Sequence, residues 1–339
     1  VASPTPAPSP TVDSDGVWAL TEKAWPVAGS GHLLADGEVH ALAMAPDARW
    51  LAWGMNGKGA VLITVDWPTC SRAVVGERRP TFDTVQAVTF TRTGLLIAAA
   101  GEAVFAFDLD TQRSWKLMRI ADGRARSLAL LDEGDKAWLV VGVEQWNGRG
   151  GVDRYELATK PRLRCVGTAE RMVQNELPIK CVTFSPDGRW LAASGEDARL
   201  RVWAVGAWEE VAPRPLVADG KAAISLGYGL SFSADSSLLA AGVGHQVVLW
   251  RVGEWHQPTL LREHREAVTA VAFSPNGTSL ASGAGDEVLV GGSQGPDDPL
   301  TRIKGHHGFL SGMVFSPDGR TLVTAGFDKR IQIHPISNP

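Results

Sequence analysis

A serine flanked by glycines is the first feature that could do chemistry. Gly291-Gly-Ser-Gln-Gly295 fits the pattern Gly-x-Ser-x-Gly, which in hydrolases places a nucleophilic serine on a strained turn from a strand into a helix. Here Pro296-Asp-Asp-Pro299 follows at once, and this segment opposes the start of a helix. We therefore interpret the motif as a glycine-rich loop, and we predict no catalytic residue.

Residues that could hold a phosphate or a metal ion also lack the required spacing. Gly54-Met-Asn-Gly-Lys-Gly59 has the wrong spacing for a phosphate-binding loop, and no serine or threonine follows its lysine. His306, His307 and His334 stand without an acidic or cysteine ligand at usable spacing. We predict neither a cofactor nor a metal ion.

The three cysteines bear on the compartment rather than on a site. Cys70, Cys165 and Cys181 show no Cys-x-x-Cys spacing and leave one thiol over in any pairing scheme, so we interpret them as small buried side chains. This pattern favours a reducing compartment and predicts a cytoplasmic protein. The composition of the N-terminal segment also allows an extracytoplasmic domain of a membrane-anchored protein.

Charge and hydropathy argue against two classes of partner. The formal net charge is -4 with a pI near 6.1, and acidic and basic residues are mixed along the chain, so nothing attracts it to nucleic acid or an anionic membrane. No apolar run approaches the roughly 20 residues that span a bilayer. We expect no nucleic-acid binding and no membrane insertion of this segment.

The elements that must position any site come from a repeated phrase. Its clearest copy runs from Cys181 to Trp203, in which turns at Pro186-Asp-Gly188 and Gly195-Glu-Asp197 separate three short apolar runs; such alternation predicts antiparallel strands. Aligning the chain on the phenylalanine of Phe-Ser-Pro-Asp-Gly gives seven anchors, 40 to 54 residues apart, a spacing that suits four-stranded propeller blades. The anchors are Met44, Phe90, Leu130, Phe184, Phe232, Phe273 and Phe315.

With its Gly305-His306, Leu280-Ala-Ser-Gly283 and Ser-Pro-Asp-Gly segments, the sequence resembles the WD40 repeat family from about residue 16 to residue 339. The resemblance implies an all-β, seven-bladed β-propeller of four-stranded antiparallel blades, closed by an N-terminal strand that completes the last blade. We assign that strand to Val17–Leu20 or Lys23–Val27. In a closed ring, each face of every blade packs against a neighbouring blade.

The resemblance also implies a hydrogen-bonded set inside each blade, made from a histidine, a serine or threonine, a turn aspartate and a tryptophan. No repeat keeps the full signature. The residues that match are His306, Thr324, Asp328 and His334 in the last repeat, His264, Ser282 and Asp286 in the one before, and Trp203 and Trp250 at strand ends. These residues are predicted to be structural.

Partner-binding candidates come from two places. WD40 domains usually meet partners at the narrow face of the ring, and the matching positions here are Phe82, Glu196, Arg265, His307, Phe309 and Phe327. The insertion Glu144–Gly151 adds Trp146 and Arg149, which could form an interface; a variable hairpin tip is the alternative.

Taken together, the sequence predicts a non-catalytic, monomeric platform that binds a protein or peptide, possibly another domain of the same polypeptide. Residues 1–15 form a Pro-rich linker, which we expect to lead to an N-terminal domain, with the propeller at 16–339; the Ala-rich composition is compatible with a multidomain bacterial protein. One alternative is a regulatory cap that restrains a fused kinase, NTPase or protease-like domain. Another is a propeller enzyme with a site in the central channel, which the apolar inner strands oppose.

Overall fold

The structure is a computed structural model. The structure describes residues 19–24, 32–35, 37–56, 60–66, 72–78, 84–211, 214–215, 217–218, 221–222, 229–293, 295 and 298–336. The linker at 1–15 and the candidate residue Phe82 lie outside these ranges. No helix in the described part is long and apolar enough to cross a membrane.

The first half of the chain forms two leading strands and three blades. The leading strands are β1 (Ala19–Ala24) and β2 (His32–Leu34). Blade one comprises β3 (Val39–Met44), β4 (Trp50–Met55), β5 (Ala60–Asp66) and β6 (Arg72–Arg78). Blade two comprises β7 (Val85–Phe90), β8 (Leu96–Ala100), β9 (Ala103–Asp108) and β10 (Arg113–Arg119). Blade three comprises β11 (Arg124–Asp132), β12 (Lys136–Glu144), β13 (Gly150–Ala158) and β14 (Arg164–Asn175).

The second half supplies four more blades. Blade four comprises β15 (Ile179–Phe184), β16 (Trp190–Gly195), β17 (Arg199–Ala204), β18 (Glu209–Glu210) and β19 (Arg214–Pro215); a separate pair follows, β20 (Val217–Ala218) and β21 (Lys221–Ala222). Blade five comprises β22 (Leu230–Phe232), β23 (Leu238–Val243), β24 (Gln246–Arg251) and β25 (Thr259–Glu263). Blade six comprises β26 (Val268–Phe273), β27 (Ser279–Ala284), β28 (Glu287–Gly292) and β29 (Leu300–Lys304). Blade seven comprises β30 (Leu310–Phe315), β31 (Thr321–Gly326) and β32 (Arg330–Pro335), together with β2.

The register of the sheets confirms the seven-repeat alignment. Each predicted anchor pairs with a leucine in the second strand of its blade, and every one of these leucines is fully buried. The leucines are Leu51, Leu96, Leu139, Leu191, Leu239, Leu280 and Leu322. The inner strands contact one another in sequence, and β30 returns to β3, so the blades form a closed ring. The fold is therefore an all-β, seven-bladed propeller.

The Ser-Pro-Asp-Gly turns repeat because the same side-chain bonds hold each one. In blade four the Ser185 hydroxyl donates to Asp187 Oδ1 over 2.6 Å and accepts from the Trp190 N–H over 2.9 Å. Gly188 then takes the positive φ of 72° that a side chain disfavours. Equivalent serine bonds recur in blades five, six and seven, so the phrase encodes a turn.

Apolar clusters fill the spaces between neighbouring sheets, because one four-stranded sheet cannot bury both of its faces. The cluster that joins the last blade to the first includes Leu51, Trp53, Val323 and Ile331, all with no exposed surface. The chain ends therefore meet across a packed interface.

An N-terminal strand completes the last blade, as predicted, but the two segments assigned to it were wrong. The closing strand is β2, which pairs with β32 through His32↔Gln332, Leu33↔Ile331 and Leu34↔Arg330. The earlier segment forms β1, which adds a fifth strand to the outside of blade one by pairing with β6. The physical reason is chain continuity: β2 runs almost directly into the inner strand β3, so it lies where blades seven and one meet.

Candidate functional site

A buried chain of hydrogen bonds lies in blade seven. His306 Nδ1 is 3.0 Å from each oxygen of Asp328, and His306 Nε2 is 2.8 Å from the Thr324 hydroxyl. The same hydroxyl is 3.1 Å from His334 Nε2. One proton arrangement satisfies every member: His306 Nδ1–H donates to the carboxylate, the threonine donates to His306 Nε2, and His334 Nε2–H donates to the threonine.

Burial keeps both histidines of this chain neutral. Desolvation lowers the pKa of His306, although the bond to Asp328 opposes the shift. Desolvation and the neighbouring His306 lower the pKa of His334 to about 4. Burial alone raises the pKa of Asp328, but the hydrogen bonds from the His307 amide and from His306 outweigh it, so that pKa is lowered. The carboxylate is thus the one charged member, and it accepts from three N–H donors: the His306 ring and the amides of His307 and Arg330.

This chain of bonds holds the backbone that carries two exposed aromatic side chains at one end of the ring. The His307 amide donates to Asp328 Oδ2 over 2.9 Å, and the Phe327 amide donates to the Phe309 carbonyl over 3.0 Å. Phe309 is 53% exposed and Phe327 is 40% exposed. The His40 ring from blade one lies against Phe327, with 5.0 Å between ring centroids.

The equivalent set in blade six is incomplete. His264 Nε2 lies 2.8 Å from the Ser282 hydroxyl, but Asp286 is exposed on the turn and takes no part. The carboxylate that faces His264 is that of Glu287, 3.7 Å from Nδ1, so placing Asp286 in this set was wrong. Gly291 occupies the register position that Trp203 and Trp250 fill in blades four and five, where both tryptophans are buried.

A β-bulge near the start of the inner strand places one polar side chain per blade at the same level. In six blades the register shifts at a single residue, which the partner strand leaves unpaired; such a bulge re-aims a side chain. The six bulged residues are His40, Gln86, Arg126, Lys180, Thr269 and Ser311.

All six bulged side chains line one cavity, together with Phe309, Leu310 and Phe327. We name this cavity the channel mouth; its volume is about 380 Å³. It opens above a narrower space of about 220 Å³ that residues of all seven inner strands line. Sequence reasoning identified Phe309 and Phe327 but missed the bulged residues. A usable signal existed, since each bulged residue is polar and follows a buried apolar residue at the start of an inner strand.

The other predicted partner-binding residues fall into different places. Glu196 reaches the channel mouth through its ion pair with Lys180, at 2.8 Å. Arg265 and His307 are exposed in loops that precede inner strands, and neither lines the cavity. Trp146 and Arg149 lie in the hairpin between β12 and β13, where Trp146 is 63% exposed and Arg149 pairs with Glu176 at 3.1 Å.

The glycine-flanked serine has a structural contact, and residues 57–59 of the Gly54–Gly59 segment lie outside the described ranges. Ser293 of the Gly-x-Ser-x-Gly segment is 2% exposed and donates to the Gly277 carbonyl over 3.1 Å, so its hydroxyl is engaged in holding a turn. Within the described ranges, no three His, Cys, Asp or Glu side chains are grouped to hold a metal ion.

Comparison with known proteins places these features in a family context. The family model described as "WD domain, G-beta repeat" matches residues 165–204, 255–289 and 297–334. One of the subunits of mouse chromatin assembly factor 1 is 21% identical over 66% of this chain and 42% of its own length. Bovine coronin-7 is 30% identical over 57% of this chain and 21% of its own length. An uncharacterized WD repeat-containing protein of the cyanobacterium Synechocystis is 25% identical over 43% of this chain and 40% of its own length.

Among solved structures, a chain of the crystal structure of the mitotic checkpoint complex superposes with a TM-score of 0.73. The alignment covers 100% of both chains at 16% identity, so it supports the fold alone. The chain spans less than half the length of the curated relatives named above.

Proposed function

We propose, from the premise that this chain is a β-propeller built from WD40 repeats, that it is a non-catalytic platform that binds a protein or peptide at the channel mouth. The observation that carries the proposal is the pair Phe309 and Phe327, exposed beside a cavity of about 380 Å³ and fixed by the hydrogen bonds of blade seven. WD40 repeat proteins are generally non-catalytic scaffolds, which agrees with this role.

Rigidity is what makes the exposed pair suitable for recognition. Large aromatic side chains supply much of the binding energy of protein interfaces when they are buried by a partner. Here Asp328 accepts bonds from both the His306 ring and the His307 amide, and the Phe327 amide bonds to Phe309. A surface ordered before binding loses less entropy on association.

Partner capture followed by titration tests the proposal. Proteins retained by the native chain are identified, and each is then purified and titrated against Phe309→Ala/Phe327→Ala and against Leu300→Ala. Leu300 is 46% exposed on the outer strand β29 and is therefore a matched loss of apolar surface away from the channel mouth. The double variant should weaken a direct partner by about a thousandfold, since hot-spot truncations cost at least about 2 kcal/mol each and about 1.4 kcal/mol corresponds to a tenfold change. Equal affinities for the native chain, the double variant and Leu300→Ala would remove the channel mouth as the site.

The hairpin of blade three is a second candidate surface. Trp146 is the most exposed of the large hydrophobic side chains in the described ranges, and an exposed tryptophan on a loop suits an interface. Trp146→Ala belongs in the same titration. If Trp146→Ala loses affinity for the partner and Phe309→Ala/Phe327→Ala keeps it, the hairpin and not the channel mouth is the binding site.

The proposal extends to the setting of the propeller. We infer a monomeric propeller in a multidomain bacterial protein of the cytoplasm, attached through the Pro-rich residues 1–15. The channel mouth then recruits a partner, or restrains a fused effector domain. Deleting the propeller from the full-length protein separates these roles: a gain in effector activity indicates restraint, and lost targeting with unchanged activity indicates recruitment. A propeller enzyme is disfavoured because none of the described residues that line the channel mouth carries a carboxylate, so a pair of carboxylates for acid–base catalysis is not present among them.

A further inference from the structure

We infer that the channel mouth selects an acidic peptide segment of a protein partner, with an apolar side chain seated against Phe309 and Phe327 and a carboxylate directed at Arg126 and Lys180. This inference rests on the proposed function and adds the chemistry of the partner. Four features of the cavity carry it.

The first feature is the distribution of side-chain types around the ring. Phe309 and Phe327 belong to blade seven and lie beside His40 of blade one. Arg126 and Lys180 belong to blades three and four. Blade two separates the two groups on one side, and blades five and six separate them on the other. A ligand that satisfies both groups must therefore carry an apolar part and a polar part at a distance from each other.

The second feature is the sign of the charge. None of the nine lining residues is acidic. Glu144 pairs with both Arg124, at 2.9 Å, and Arg126, so two cations share one carboxylate and a positive charge remains at this point. Lys180 is balanced by Glu196. Since nearby unlike charges attract most strongly where water is partly excluded, the polar part of the ligand should be anionic.

The third feature is hydrogen-bonding capacity that the described residues do not use. His40 Nε2 and Ser311 Oγ are buried atoms without a hydrogen-bond partner among the described residues, and the charged group beside His40 Nε2 is the Glu38 carboxylate, at 3.8 Å. Buried polar atoms are nearly always bonded to protein, water or ligand. Burial lowers the pKa of His40, so this ring stays neutral at pH 7. Both groups can bond to the backbone or side chains of a peptide that enters the cavity.

The fourth feature excludes a competing class of ligand. Nucleic acid would bring a row of phosphates to a chain whose formal net charge is -4, and binding of that kind needs an extended basic surface. The positive character here is confined to one side of a cavity of about 380 Å³, which suits one or two side chains of a peptide better than a polyanion.

A peptide array tests the inference with the full chain. Each terminally blocked peptide carries one Phe and a pair of Glu at varied separation in a Gly/Ser background, and parallel sets carry Gln or Lys in place of Glu. Peptides that bind are then measured by fluorescence anisotropy. We expect binding by Glu peptides of suitable separation, loss of affinity in their Gln versions, and no binding by their Lys versions. Lys peptides that bind as tightly as Glu peptides would overturn the charge assignment without any change to the protein.

Protein variants then locate the contacts. Arg126→Gln and Lys180→Gln should each weaken the Glu peptide by about 10- to 100-fold and leave the Gln peptide unchanged, because each variant removes a hydrogen bond between two charged groups. Lys136→Gln is the matched control, since it removes a cation that pairs with Glu156 at 2.8 Å and does not line the cavity. Equal weakening by Lys136→Gln would indicate a diffuse charge effect and overturn the assignment.

The outcomes separate this inference from the proposed function. If Phe309→Ala/Phe327→Ala loses every peptide while charge changes have no effect, the channel mouth is a binding site but acidic selection is wrong. If no peptide of the array binds the native chain, the inference is overturned. The proposed function is then tested separately, by titration of the captured partner.

Discussion

Thr324→Val tests whether the buried chain of blade seven stabilises the propeller. The change keeps the shape of the side chain and removes the hydroxyl that joins His306, at 2.8 Å, to His334, at 3.1 Å. Thr324 has no exposed surface, so both ring nitrogens lose their partner in a site with little access to water. Each buried group left without a partner costs about 1–3 kcal/mol, and the added methyl group returns about 0.8 kcal/mol. Because His334 is only partly buried, we expect a net loss of about 2–4 kcal/mol.

Two controls make the measurement specific. Thr301→Val alters an exposed threonine of β29 and should change the free energy of unfolding by less than about 0.5 kcal/mol. Ser282→Ala removes a hydroxyl with a bond of 2.8 Å to one histidine and should cost about half as much as Thr324→Val. Urea unfolding followed by tryptophan fluorescence gives the three values. Hydrogen exchange of the Phe327 amide reports whether the loop loosens, and it should be faster in Thr324→Val. Equal stability of Thr324→Val and Thr301→Val would refute the reasoning.

Three further changes test other parts of the structure. Lowering the pH from about 7.5 to about 5 should reduce the free energy of unfolding by about 1–2 kcal/mol for each of His264 and His334. Burial lowers both pKa values to about 4. The neutral rings therefore contribute stability above pH 6.5, and this stability is lost as the pH falls toward 4. A free energy of unfolding that does not change between these two pH values would contradict this prediction. Replacing 32–34 by glycines should lower the melting temperature and promote aggregation, because β32 then presents an open edge; an unchanged melt and a monomeric elution profile would count against the closure. Gly195→Ala should destabilise by about 1–3 kcal/mol, since its Cβ would lie 2.4 Å from a backbone carbonyl oxygen, whereas Gly295→Ala meets nothing within 4 Å and serves as the control.

The repeat made the fold predictable because its turns and buried positions recur at a fixed register. Even Met44 and Leu130, the two anchors that are not phenylalanine, pair with the leucines equivalent to those of the other blades, Leu51 and Leu139, since an apolar residue there is enough to face the core. The closing strand was harder to place. His32–Leu34 has three residues, too few for a pattern, and its pairing with β32 is a contact between the two ends of the chain that no local signal encodes.

The site was less predictable than the fold, for two physical reasons. Exposed residues such as Phe309 could be placed by analogy with the repeat, because the loop before each inner strand has a fixed position. The bulged residues were missed, because the polar residue after the first apolar residue of each inner strand marks only a candidate position, and the one-residue shift in register itself depends on the pairing of two strands. The exchange of Asp286 for Glu287 is a similar case: the carboxylate that faces the histidine belongs to the residue after the turn, at the start of β28.

Closure of the ring and recognition at the channel mouth are coupled through blade seven. The strand that closes the ring pairs with β32, and the Ala35 amide continues that ladder by donating to the Lys329 carbonyl over 2.9 Å. Lys329 follows Asp328 and Phe327 directly, so the turn that presents the aromatic pair is held by the closing segment on one side and by His306 on the other. A ligand that binds only the ordered turn must stabilise the closed ring, and by thermodynamic reciprocity a weakened closure must lower ligand affinity. Glycine replacement of 32–34 should therefore weaken peptide binding, and saturating peptide should raise the melting temperature of that variant.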